Sequence, residues 1–224
     1  MSTDTKNDPH AGTTVFESGA SPARARAGMI LLHGRGAEAK SFIRLSDDLA
    51  QPDVRYLAPQ AEGRTWYPYP FTEPSARNQP FLDGAVSKVL QLIGQLETEG
   101  IPKSRIVLLG FSQGACLALH TAANYPVRYG GVVSLSGGLI GDYPAHLDYN
   151  GDLLNTPVFL GLGKYDPYVT ANRFQESVAI MKKLNANVTD RIDPGPGHSI
   201  REGEVRFVRG LLASILHNQD EKPQ

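Results

Sequence analysis

Short, unbroken apolar runs rich in valine, isoleucine and leucine alternate with stretches of helical spacing along almost the whole chain. The runs are MILLH from Met29, VRYLAP from Val54, RIVLLG from Arg105, GGVVSLS from Gly130, TPVFLGLG from Thr156 and, less apolar, NVTDRID from Asn187. Between them, Ser41–Leu49, Leu82–Leu96, Gly114–Ala123, Asn172–Leu184 and Glu204–Leu216 place apolar residues at helical intervals. Leu82, Val86, Val89, Leu90, Ile93 and Leu96 form the clearest stripe. A strand without polar alternation is buried on both faces, and strand–helix–strand crossovers make neighbouring strands parallel. The expected fold class is therefore α/β: a mostly parallel central sheet with helices on both faces and no large lid domain. TTVFESG, from Thr13, would add an antiparallel strand at one edge.

A chain of 224 residues can bury one sizeable core, and no repeat or linker divides it. Residues 13–217 read as a single domain, with 1–12 and 218–224 as flexible tails. Lys and Arg (22) almost cancel Asp and Glu (23), which removes the broad field that binding nucleic acid or anionic lipid requires. One cysteine excludes an intramolecular disulfide. The N-terminal MSTDTKNDPHAG has no apolar segment of a secretory signal, and no run is long enough to span a bilayer. A cytoplasmic protein is expected, without stable membrane insertion. Monomer and homodimer both remain open.

The exception to regular patterning is PQAEGRTWYPYPFTEPSARNQP, Pro59 to Pro80. Long loops without periodicity in compact domains are frequently functional. Trp66, Tyr67, Tyr69 and Phe71 there should either pack beneath the loop or wall a pocket.

Chemistry concentrates at Gly110-Phe111-Ser112-Gln113-Gly114, a G-x-S-x-G stretch between an apolar run and a helical pattern. On such a turn the serine hydroxyl is lifted clear of the backbone, and a side chain in place of either glycine would crowd the adjoining strand or helix. Serine is a weak nucleophile until a histidine takes its proton and a carboxylate orients that histidine. Where the serine rides on a strand-to-helix turn, the acid and then the histidine follow later in the chain. Asp166 comes directly after the apolar TPVFLGLG run, and His198 lies in the glycine- and proline-rich DPGPGHSI after the last run.

The other histidines fit the task less well. His10 and His217 lie in apparent tails, His120 is two turns into the helix after the serine, His146 precedes the Asp166 strand, and His33 suits a supporting role. Asp193 shares a loop with His198 and would have to fold back to reach it. Two backbone N–H groups should receive the oxyanion: that of Gln113, after the serine, and that of Arg35, in the glycine-rich LLHGRGAEAK.

LLHGRGA, LAPQAEGRTWYP, GFSQGACLAL, LSGGL, GKYDPYV and PGPGHSI, in this order, resemble the phospholipase/carboxylesterase family of small α/β hydrolases, which includes the acyl-protein thioesterases. The resemblance runs from about Met29 to Glu204. It implies an α/β-hydrolase fold without a lid, a small-molecule ester or thioester substrate, and neither cofactor nor metal. Carried across, Ser112 is the nucleophile, Asp166 the orienting acid and His198 the base, with Arg35 and Gln113 forming the oxyanion hole. Trp66-Tyr67-Pro68 stands where the thioesterases carry Trp-Phe-Asp, and Arg35 where an aliphatic residue is usual. These departures, with Tyr168 at the pocket mouth, point to short acyl or aryl esters and make Trp66, Tyr67 and Tyr168 the expected substrate-binding residues. Acyl-thioesterase and lysophospholipase are the alternatives.

Three rival readings remain. HGRGAEA also satisfies G-x-G-x-x-A through Gly34 and Gly36, the fingerprint of a nucleotide-binding oxidoreductase, but the acid expected after the next strand is missing and Asp53 precedes that strand. A noncatalytic ligand receptor could be built on the same fold. Cys116 as nucleophile would lie one turn inside the helix, where a small buried thiol is the simpler reading.

Overall fold

Side chains of consecutive residues leave a strand on opposite faces, so an unbroken apolar strand feeds two cores. Ile30, Leu32, Leu108, Val132 and Leu160 enter one core, and Met29, Leu31, Leu109, Val133 and Phe159 the other. The structure, a computed structural model, describes residues 8–142, 149–195 and 197–217. Among these, seven strands form one sheet: β1 (Val15–Gly19), β2 (Ala27–Leu32), β3 (Val54–Pro59), β4 (Ile106–Phe111), β5 (Gly131–Leu135), β6 (Pro157–Gly163) and β7 (Asn187–Asp193). Their order is β1-β3-β2-β4-β5-β6-β7. Only β1 runs antiparallel, with Val15 opposite Pro59 of β3, as expected for the edge strand. The remaining neighbours pair in parallel.

Helices cover both faces. α3 (Phe81–Thr98), α4 (Gln113–Asn124) and α5 (Ala171–Lys183) pack into the first core, while α1 (Ala39–Phe42), α2 (Leu45–Leu49) and α6 (Glu202–His217) pack into the second. Each fully buried Leu, Ile or Val contributes about 1.5–3 kcal/mol relative to exposure. α4 is buried nearly all round, and its small residues Gly114, Ala115 and Ala118 let it approach the central strands closely. Thr170 caps α5, its hydroxyl accepting from the Arg173 N–H at 3.2 Å.

Two expectations need correction. Ser41–Leu49 is not one helix: i→i+3 bonds from Arg44 to Ser41, Ser46 to Ile43 and Asp47 to Arg44 tighten the backbone and split the segment into α1 and α2. Nor does the frayed start extend to Gly12. His10 is fully buried, its Nε2 donating to the Trp66 carbonyl at 3.0 Å and its Nδ1 accepting from the Glu62 N–H. An aromatic ring between Trp66 and Phe81 is worth more buried than solvated. Residues 1–7 of the expected N-terminal tail, the expected tail at 218–224, and His146 lie outside the described residues. No helix among the described residues is long and apolar enough to cross a membrane.

The chain leaves β2 for β3 on one side and leaves β4 for β5 on the other. Connections departing in opposite directions open a crevice at the carboxyl ends of β2 and β4, the place where open α/β sheets bind ligands.

Candidate active site

The turn between β4 and α4 carries Ser112 with φ 54° and ψ −117°, a conformation in which an L-residue is strained. Close packing enforces it. A Cβ at Gly110 would overlap the Gly114 carbonyl, and one at Gly114 would overlap the Leu32 carbonyl, so the turn lies hard against β2. The Ser112 N–H donates to the Leu135 carbonyl at 2.9 Å, which ties the turn to β5 as well.

Asp166 sits just beyond the end of β6, with its side chain fully buried. Oδ1 accepts from the backbone N–H groups of Tyr168 (2.9 Å) and Val169 (3.0 Å), while Oδ2 lies 2.8 Å from His198 Nδ1. This arrangement assigns the Nδ1 proton, donated to the carboxylate, and leaves Nε2 to accept from the Ser112 hydroxyl at 2.6 Å. Phe111 and Tyr168 flank the imidazole, with centroids 4.9 and 4.8 Å from it. The loop after β7 that holds His198 is fastened by Arg201, whose Nη2 donates to the Gly197 carbonyl at 2.8 Å. Glu204, fully buried in α6, accepts from the Arg201 N–H at 2.8 Å and pairs with its guanidinium. Burial pushes the Glu204 carboxyl upward in pKa, opposed in part by Arg201. Neither residue stood out in the sequence.

Ser112 opens into a cavity of about 590 Å³ lined by Arg35, Gln113, Tyr67, Pro70, Phe71, Cys116, Ser136, Tyr168, Val169 and His198, among others. Its walls are mostly apolar, and among the described residues no carboxylate lines it. Gln113 begins α4, where a first-turn N–H has no intrahelical acceptor, and the Arg35 N–H donates to no group among the described residues. His33, buried beside this loop, donates from Nδ1 to the Gly34 carbonyl at 2.7 Å and accepts the Ala61 N–H at Nε2. Burial lowers its pKa, which suits a neutral supporting ring.

The three expected substrate-binding aromatics separate. Tyr67 and Tyr168 line the cavity, but Tyr168 is 69% exposed and stands at the mouth. Trp66 does not line it. Its indole is fully buried, 5.1 Å from the His33 ring, with Nε1–H donating to the His33 carbonyl at 2.8 Å. A large ring with a polar N–H finds more burial and a hydrogen-bond partner beneath the loop than at its lip. Phe71 and Pro70 occupy the wall instead. Burial pushes the Cys116 thiol up to about 11, far from the thiolate that nucleophilic cysteine chemistry needs. Ser136, with φ 56°, also borders the cavity, and nothing in its LSGG context distinguished it from a turn residue. Among the described residues, no three His, Cys, Asp or Glu side chains group as a metal site.

A mostly parallel sheet covered on both faces, with its cavity over the carboxyl ends of the central strands and a serine on the turn after one of them, defines an α/β hydrolase. The sequence profile of the phospholipase/carboxylesterase family matches residues 13–216, and the chain belongs to that family. It is similar to acyl-protein thioesterase 1 of Debaryomyces hansenii, 28% identical over 216 residues, covering 86% of this chain and 92% of that protein. Acyl-protein thioesterase 1 of Saccharomyces cerevisiae is 30% identical over 221 residues, covering 86% and 94%. Among solved structures, a phospholipase/carboxylesterase from Dyadobacter fermentans superimposes with a TM-score of 0.85 at 39% identity, covering 90% of this chain and 97% of that one. Esterase PE8 shares the fold, with a TM-score of 0.73 at 21% identity over 91% of this chain and 99% of its own.

Proposed function

We propose that the chain hydrolyses carboxylic esters of short acyl or aryl type through an acyl-enzyme on Ser112. The observation that carries this reading is the hydrogen-bonded line from Asp166 through His198 to Ser112, 2.8 and 2.6 Å long, ending at the mouth of an apolar cavity. Ser112 Oγ attacks the ester carbonyl as His198 Nε2 takes its proton, and Asp166 stabilises the imidazolium without accepting the proton itself. The N–H groups of Gln113 and Arg35 receive the oxyanion. His198 then protonates the leaving alcohol, and water activated by the same ring releases the acid.

A short acyl group is supported by the buried, core-packed Cys116 and Tyr67 in the lining of the cavity, which cannot move aside without disturbing the core. A second reading, acyl-thioester hydrolysis, is favoured by the likeness to two yeast acyl-protein thioesterases over most of each chain; the same residues would serve, since only the leaving group differs. The accompanying location is the cytoplasm: with a single cysteine the fold requires no oxidising compartment.

A p-nitrophenyl ester series run beside an acyl thioester tests the reading. Turnover should be highest for short acyl esters and fall by several orders of magnitude in Ser112→Ala. A fluorophosphonate that leaves Ser112 of the folded protein unlabelled would refute the acyl-enzyme.

A further inference from the structure

The two residues assigned to the oxyanion through their backbones send their side chains to one and the same stretch of cavity wall. Gln113 Oε1 accepts from the Trp66 N–H at 2.9 Å, and Nε2 donates to the Tyr67 carbonyl at 2.8 Å. Arg35 reaches the same stretch. Its Nη2 donates to the carbonyls of Tyr67 (2.9 Å) and Tyr69 (3.2 Å), and Nη1 donates to that of Pro68 (3.1 Å). The wall belongs to the long connection between β3 and α3, and lies between its two short 3-10 turns, Glu62–Arg64 and Ser75–Asn78.

Further along, other groups hold the connection: the Tyr69 N–H donates to Asn78 Oδ1 at 2.8 Å, and the Gly141 N–H donates to the Phe71 carbonyl at 2.8 Å. The carbonyls of Tyr67, Pro68 and Tyr69, among the described residues, depend on Arg35 and Gln113 alone. Arg35 is exposed, and among the described residues its guanidinium bonds only to these three carbonyls. A planar guanidinium presents donors in a fixed geometry that can bridge successive carbonyls, whereas an ammonium is a shorter point charge.

We propose that the Arg35 side chain is a positioning residue that sets acyl-group selectivity. By holding three consecutive carbonyls, it fixes the wall of Tyr67, Pro68 and Pro70 against the oxyanion loop and keeps the cavity matched to short acyl groups. The proposal rests on the ester-hydrolase reading above. It differs from a role in binding a charged substrate, which would depend on the positive charge and not on the fork. It differs also from a role in chemistry, since the backbone N–H that receives the oxyanion survives every substitution of the side chain except proline.

The test measures kcat and KM for p-nitrophenyl acetate, butyrate and octanoate in the parent, Arg35→Met and Arg35→Lys, with a thermal melt of each. In Arg35→Met the acetate-to-octanoate ratio of kcat/KM should fall about tenfold, the equivalent of one hydrogen bond to a charged group, with KM moving more than kcat. Arg35→Lys should lie between the two. A parent-like ratio in Arg35→Met overturns the proposal. So does a parent-like ratio in Arg35→Lys, which would assign the effect to charge, and so does an equal loss of kcat on all three esters, which would assign it to the oxyanion loop. Should the parent itself hydrolyse none of the esters and escape fluorophosphonate labelling, the hydrolase reading fails first and takes the selectivity proposal with it, a result visible before any substitution is made.

Discussion

Replacing Asp166 by asparagine separates the orientation of His198 from the integrity of the loop that carries the acid. Asp166 accepts three hydrogen bonds: two from the N–H groups of Tyr168 and Val169 and one from His198. Asparagine keeps an oxygen for the two backbone donors, so the turn after β6 survives. Its NH2 group, however, faces His198 Nδ1 and donates, which forces the imidazole proton onto Nε2. That nitrogen lies 2.6 Å from Ser112 Oγ and then has no lone pair to accept the serine proton. The expected loss in kcat is about 10⁴-fold, the size found for this exchange in a Ser-His-Asp site, or roughly 5.5 kcal/mol in the barrier. Stability should change far less. A loss of about 1 kcal/mol corresponds to a melting shift of only about 2–4 °C in a chain of this size. Asp166→Ala strands the part-buried Val169 N–H, at about 1–3 kcal/mol, while the exposed Tyr168 N–H turns to solvent, and the melting temperature should fall visibly. Steady-state turnover of p-nitrophenyl acetate near neutral pH, with a thermal melt of each variant, gives both numbers. Asp166→Asn retaining more than about a tenth of parental kcat/KM would refute the tautomer argument.

Other expected outcomes follow from the packing. Gly114→Ala should yield little folded protein, because its methyl group meets the carbonyls of Leu32, the last residue of β2, and of His33 just after it; soluble expression and circular dichroism report this directly. Trp66→Phe should lower the melting temperature by removing the bond to the His33 carbonyl, yet leave the acyl-length profile near parental, since the indole does not border the cavity. Burial lowers the His120 pKa to about 4 from its ordinary 6.5. The unfolded chain therefore binds that proton more tightly, so the stabilisation is complete above pH 6.5 and is lost as the pH falls toward about 4. Melts recorded across that window should show a shallower slope in His120→Gln than in the parent.

The strands were legible because burial on both faces leaves continuous apolar runs: the run from Val54 is β3 itself, and the run from Arg105 begins one residue ahead of β4. β7 was fainter for a physical reason, since it is an edge strand with Asp190 and Arg191 exposed, as edge protection requires. Ser112, Asp166 and His198 could be found because each follows a strand and their types and order are those that nucleophilic catalysis needs. Of the supporting residues, His33 could be picked out at the end of its strand, but others could not. His10 looks like part of a polar tail until Trp66 and Phe81 are seen around it. The Arg35 fork acts on carbonyls, which leave no mark in a sequence. Arg201 and Glu204, three apart at the head of α6, resemble any surface pair until their burial is known.

The histidine that completes the hydrogen-bonded line is suspended from β7, one of the two edge strands, with most of its residues open to solvent. Edge elements open at lower free energy than the centre of a domain. Detachment of this margin would carry the ring away from Ser112 while the five inner strands stay paired, so warming should silence the enzyme before the fold itself comes apart.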